Sequence, residues 1–100
     1  MTGTPYSIEW RAMALDDLRA IVRYISKENP VRAKSFVREL RNKTKLLATN
    51  PELGKRGRPG LPEWLRELIV HPNYIVFYRV LTDAQIVEIV RVKHAAQQTP

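Results

Sequence analysis

The chain has 100 residues, 44% of them hydrophobic, no cysteine, and 17 Lys and Arg against 10 Asp and Glu, a formal charge of +7. One domain usually takes about 100–150 residues, which leaves no room for two full domains and argues against a large enclosed active site. The hydrophobic content argues against disorder, no apolar run approaches the roughly 18–20 residues of a membrane helix, and the lack of cysteine removes both disulfide and thiolate chemistry.

The charge is not spread evenly. Residues 32–66 carry ten bases and only Glu39, Glu52 and Glu63 as acids, while 1–31 and 67–100 are each neutral. A basic block inside a neutral chain points to a polyanionic or acidic partner. Met1–Pro5 is not the charged-then-apolar start of a signal peptide. The expectation is a small, soluble, cytoplasmic protein of one domain, residues 1–100, with no membrane association.

Tyr6–Trp10 alternates weakly and reads as a short strand. Then Ala14, Leu18, Ile21, Val22 and Ile25 recur at three and four residues, one apolar face of a helix. Asp16 and Asp17 are expected near its start, where the helix dipole favours negative charge. Asn29-Pro30 ends this helix and opens another, with Asn29 as N-cap and Pro30 at the first position. The second helix gathers Ala33, Phe36, Val37, Leu40, Thr44 and Leu47 on one face. Arg32, Lys34, Arg38, Arg41, Lys43 and Lys45 lie between them. Thr49–Pro62, with Pro51, Gly54, Gly57, Pro59, Gly60 and Pro62, reads as a loop. Trp64–His71, Tyr74–Leu81 and Gln85–Lys93 read as three strands of a meander, separated by Pro72-Asn73 and Thr82-Asp83. The order is β-α-α-β-β-β, an α+β fold with an antiparallel sheet. The first strand joins at an edge or beside the last, and a two-helix hairpin packs on one face.

A sheet with one buried face should alternate between apolar and polar residues. Here Tyr74, Val76, Tyr78 and Val80 share one parity, and Ile75, Phe77, Arg79 and Leu81 the other. The last strand is also largely apolar on both, with Ile86, Val90 and Val92 against Val87, Ile89, Arg91 and Lys93. Two helices cover one face only, so a partner chain is expected over the other. The alternatives are a loop 49–63 folded back over it, or a homodimer.

The chemistry available is limited. His71 and His94 are the only histidines. Without cysteine or a His-Glu-x-x-His spacing, a metal site has no support, and no cofactor is expected. Gly54-Lys-Arg-Gly57-Arg-Pro-Gly60 lacks phosphate-loop spacing, and no serine is framed as a nucleophile. The bases on the second helix read singly as a solvated face, though their lack of compensating acids is unusual. A second group comprises Lys55, Arg56, Arg58 and Arg66. Arg79, Arg91, Lys93 and His94 lie on the last strands. These arginines either pair with Glu67 and Glu88 or line a patch for phosphates or an acidic partner. On RNA, such a patch allows metal-free cleavage. The ribose 2′-hydroxyl attacks the adjacent phosphate, His94 exchanges protons and arginines stabilise the developing charge.

Several segments together resemble the RelE/ParE superfamily of bacterial toxins from type II toxin–antitoxin modules. They are Ala14-Leu-Asp-Asp-Leu18 with Ile21-Val-Arg-Tyr-Ile25, the Asn29-Pro30 break, and Leu47-Ala-Thr-Asn-Pro51-Glu-Leu-Gly54. More specific are Leu65-Arg-Glu-Leu-Ile-Val70, Tyr74-Ile-Val-Phe-Tyr-Arg-Val80 and Val87-Glu-Ile-Val-Arg-Val-Lys-His94. The resemblance implies a cognate antitoxin wrapped on the toxin as a hetero-oligomer, in systems that include plasmid stabilization. It also implies one of two activities. ParE-type members inhibit DNA gyrase and are not nucleases. RelE-type members are mRNA interferases that cleave mRNA on the ribosome without a metal.

If the chain is a nuclease, the catalytic candidates are Arg66, Arg79, Arg91, Lys93 and His94. If it binds gyrase, Lys55, Arg56, Arg58 and Arg66 are the candidate contacts with the target. RelE-type nucleases commonly carry an arginine after the tyrosine opening the middle strand, where this chain has Ile75. Further Arg or Tyr groups often end their last strand, where Ala95-Ala96-Gln97-Gln98 follow His94. This incomplete set favours the ParE-type reading. A non-toxic basic binding module is the remaining alternative.

Overall fold

The computed structural model describes residues 4–56, 59–71 and 73–96. Its elements run β1 (Ser7–Trp10), α1 (Ala12–Ser26), α2 (Pro30–Lys45), a 3-10 turn at Leu46–Ala48, β2 (Lys55–Arg56), β3 (Leu65–His71), β4 (Tyr74–Leu81) and β5 (Ile86–His94). The sheet order is β1-β5-β4-β3-β2, with β1 parallel to β5 and the other pairs antiparallel. The expected β-α-α-β-β-β order and the helical hairpin are therefore present. The stretch read wholly as loop contains the additional edge strand β2. Pro72, Gln97 and Gln98 lie outside the described residues.

The helix boundaries follow from local chemistry. Asn29 caps α2 by accepting the backbone N–H of Arg32 at 3.0 Å, and Pro30 takes the first helical position, where no N–H is needed. The core lies between the hairpin and one face of the sheet. Ala14 and Leu18 of α1 and Phe36 and Leu40 of α2 pack on Leu68, Val70, Tyr74, Val76, Tyr78, Val87, Ile89 and Val92. The Phe36 and Tyr74 rings meet edge-on at 5.0 Å.

The last strand is not two-faced in the way its sequence suggests. Tyr78 is opposite Ile89 but Phe77 is opposite Arg91, so Val90 is an extra residue and the register shifts there. Such a bulge reverses the parity of everything after it. Val87 and Ile89 before the bulge, and Val92 after it, thus all reach the same core. The second face is covered locally rather than left bare. Leu65, Ile75 and Phe77 form a small buried cluster under Leu61 and Ala95. The loop does fold back, as one alternative held, although Trp64 and Ile69 stay more than half exposed at 51% and 56%.

One turn is pinned from the sheet. The Tyr78 hydroxyl donates to the Pro51 carbonyl at 2.8 Å and accepts the Gly54 N–H at 2.8 Å. Burial pushes the Tyr78 phenol above its ordinary value, despite the Gly54 N–H bond and the nearby charge of Arg66. A Cβ at Gly54 would lie 2.5 Å from the Glu67 carbonyl oxygen and 2.7 Å from the Tyr78 hydroxyl, so only glycine fits.

Tyr78→Phe leaves a buried N–H and a carbonyl without their partner, and is expected to cost about 1–3 kcal/mol in urea unfolding. Gly54→Ala forces the turn off the sheet, with an expected loss of about 1–3 kcal/mol by the same measurement.

Candidate functional site

β1 pairs with β5 only from Ser7–Ile86 to Trp10–Ile89. Beyond Ile89 the edge of β5 has no strand beside it, and α1 crosses there instead. Asp17 Oδ2 accepts the backbone N–H of Val92 at 2.9 Å, the bond a neighbouring strand would otherwise make. The same carboxylate takes Arg91 by a bidentate fork, Nε to Oδ2 at 2.7 Å and Nη2 to Oδ1 at 2.9 Å. Burial works to raise the Asp17 pKa. The bonds from Arg91 and Val92, with the charges of Arg91 and Lys93, outweigh it and hold the carboxyl below its ordinary value. The Arg91 pKa is raised by the same bond, against the opposing effect of its own burial. Asp17 is thus not a helix-start residue. α1 begins at Ala12 and has no acid in its first turn. Nor does Arg91 pair with Glu67 or Glu88.

Arg66 and Arg79 are also held. Arg66 Nη1 donates to the Gly54 carbonyl at 2.7 Å, adding a second clamp on the turn fixed by Tyr78. Arg79 Nε bonds Glu88 Oε1 at 3.1 Å, an oxygen shared with Arg11 Nη1 at 3.2 Å. Its guanidinium lies 5.1 Å from the centre of the Trp64 ring. Of the two alternatives, pairing with Glu88 is the one present for Arg79.

Lys93 and His94 differ from the arginines. Both line an open cleft of about 480 Å³ between α1 and the end of β5, together with Asp17, Ile21, Tyr24 and Tyr74. The His94 ring stands edge-on to Tyr74 at 5.2 Å, and its Nδ1 accepts the Ala96 N–H at 3.1 Å. Burial, reinforced by nearby Tyr24, raises the Tyr74 pKa above the ordinary phenol value. The sequence reading missed Tyr24 and Tyr74 as cleft walls. A large aromatic just outside the apolar face of α1 was the available signal for Tyr24, which is 67% exposed.

On the opposite edge, Lys55 and Arg56 of β2 are exposed. Lys55 is opposite Glu67, and Arg56 is directly opposite Arg66. Like charges across an antiparallel pair repel. Arg58 lies outside the described residues. Of the expected target contacts that are described, Lys55 and Arg56 lie on the β2 edge and Arg66 on the next strand, β3. The five nuclease candidates do not share one site. No group of three potential metal ligands occurs among the described residues, and none of their helices is long and apolar enough to cross a membrane.

A helical hairpin packed on one face of a five-stranded sheet, with an excess of basic residues, defines a small basic α+β protein. Residues 8–99 match the family described as the ParE toxin of the type II toxin–antitoxin system parDE. The chain belongs to that family, within the RelE/ParE superfamily. It is 39% identical to Toxin RelE2 of Caulobacter vibrioides over 88 residues, covering 88% of this chain and 91% of that protein. It is 38% identical to Putative toxin Y4kP of Sinorhizobium fredii over 94 residues, covering 93% and 92%. Among solved structures, the chromosomal ParDE system of P. aeruginosa matches with a TM-score of 0.74 at 24% identity, over 89% of this chain and 95% of that one. The RelBE2 toxin–antitoxin complex of Mycobacterium tuberculosis matches with a TM-score of 0.62 at 24% identity, over 90% and 98%. The protein is accordingly a toxin of the type II toxin–antitoxin class.

The depressed Asp17 pKa carries a pH dependence. The ionised form is favoured by the fold, so its contribution is present above the unfolded carboxylate value of about 3.9 and is lost as pH falls through the lower folded value. Asp17→Asn should cost about 1.5–3 kcal/mol at neutral pH. The gap between variant and parent should narrow below about pH 4, as read by urea unfolding across pH.

Proposed function

We propose that this toxin acts in the cytoplasm as one domain that binds DNA gyrase and inhibits it, and that it is not an enzyme. The observation that carries this reading is the state of the three arginines. A metal-free nuclease needs cations converging on one scissile phosphate to stabilise the charge that develops there. Arg66 is bonded to the Gly54 carbonyl, Arg79 to Glu88, and Arg91 to Asp17. They sit at different places on the sheet, and each leaves its acceptor only at the cost of a buried or half-buried polar group. The position of Ile75 adds support. Its side chain is 7% exposed and belongs to the apolar cluster with Leu65 and Phe77. It offers no group to a phosphate.

The target contact in this reading is the β2 edge. Lys55 and Arg56 are exposed there, and the repulsion between Arg56 and Arg66 is relieved by an acidic surface laid against them. The antitoxin neutralises the toxin by occupying surface the target needs.

The test is expression of the chain alone, with plasmid supercoiling and transcript ends read in the same cells. Altered supercoiling with intact transcripts is expected. Codon-linked mRNA cuts with normal supercoiling would replace this reading with the ribosome-dependent endonuclease. His94→Ala should leave toxicity unchanged, whereas Lys55→Glu with Arg56→Glu should reduce it at least tenfold while thermal stability is unchanged.

A further inference from the structure

We propose that the outer flank of α2 docks on the phosphate backbone of duplex DNA. The proposal is independent of whether the toxin acts on gyrase or on RNA. At 3.6 residues per turn, Lys34, Arg38, Arg41 and Lys45 share an arc of about 60° of the helix. All four are exposed, and none has an ion-pair partner among the described residues. The helix holds one acid, Glu39, and it lies on the other flank, where Arg32 binds it at 2.8 Å and also bonds Ser35. The basic arc is thus not balanced from within the helix.

Such an arrangement works against the helix. Like charges at i,i+4 repel, as at 34/38 and 41/45, and so do those at i,i+3, as at 38/41. Lys45, in the last turn, gains from the helix dipole, but that effect fades within one turn and does not reach Lys34 and Arg38. The stripe spans about 16 Å along the axis, the rise of about five phosphates of one DNA strand.

Two observations choose this occupant over the others. Protein interfaces centre on apolar and aromatic groups and are poor in lysine, whereas DNA interfaces are polar and strongly positive. Of the exposed hydrophobic residues of this region, Leu46 lies well outside the arc, and Val31 borders it one turn before Lys34. Single strands are held by bases stacked on aromatic rings, and the one aromatic residue of α2, Phe36, is buried in the core. A straight, flat, purely cationic stripe therefore fits the backbone of a duplex.

The experiment is fluorescence anisotropy of the full chain with a short labelled DNA duplex across a salt series. Four contacts predict a slope of about −3.6 in log affinity against log salt, roughly a hundredfold loss between about 50 and about 200 mM. Replacing Lys34, Arg38, Arg41 and Lys45 together by Gln should flatten that slope by three or more, while thermal stability is equal or higher. Should that variant fail to fold, Lys34→Gln with Arg38→Gln, and Arg41→Gln with Lys45→Gln, should each lower the slope by about 1.8. An unchanged slope in these variants overturns the proposal. So does tighter binding of a polyglutamate peptide, or of single-stranded DNA, than of the duplex at equal salt.

Discussion

A single carboxylate, Asp17, completes the edge of the sheet that β1 leaves open. β1 is four residues long and ends opposite Ile89, whereas β5 continues to His94. An exposed strand edge carries unsatisfied backbone groups and invites pairing with other chains. Here α1 reaches across that edge and gives one of its side chains to the Val92 N–H and to Arg91. The bond joins residues 74 and 75 positions apart in sequence. It therefore sets how α1 lies against the sheet, and with it the cleft that Tyr24, Lys93 and His94 line.

The same economy governs the other arginines. Arg66 secures the turn that carries the chain into β2, and Arg79 joins Glu88 across β4 and β5. Half-buried cations need fixed acceptors, because removing a charge from water costs several kcal/mol unless it is matched. An arginine committed in this way is a poor ligand for a transient phosphate. Two proteins of this fold can thus carry arginines at similar positions and differ in chemistry. What decides is whether the neighbouring acids and carbonyls hold the guanidinium inside the fold or leave it free.

Much of this was legible in the sequence. The apolar spacing of α1 and α2, and the Asn29-Pro30 break, identified the hairpin, since helical periodicity and capping are local. The strand segments were also evident. The bulge at Val90 was not, because a bulge is a property of two paired strands and no residue type announces it. Missing it made β5 look apolar on both sides and inflated the case for an uncovered face. The role of Asp17 was hidden for a related reason. Its partners lie at the far end of the chain, and proximity in sequence to Asp16 suggested a local dipole effect instead. Of the site residues, the pairing of Arg79 with Glu88 was one of two open alternatives in the sequence, and the two residues are directly opposite on adjacent strands. The acceptor of Arg66, a backbone carbonyl in a loop, leaves no mark in sequence.

The distribution of charge now acquires a structural meaning. In the neutral first and last thirds, Arg11, Arg79 and Arg91 are matched to Glu88 and Asp17, and those pairs tie elements together. Among the described bases of residues 32–66, only Arg32 has an acid partner within the helix, and Arg66 is bound to a carbonyl. The remaining described bases of that block project into solvent, four from one flank of α2, Lys43 from the other, and two from the β2 edge. Repulsion among them lowers the stability of the isolated chain, and salt screens it only in part over distances near 8–10 Å. A fold that already balances its charges wherever they serve packing has no internal reason to leave this excess unbalanced. The excess is best understood as long-range attraction. It draws an anionic partner toward the helix flank and the β2 edge before any specific contact forms.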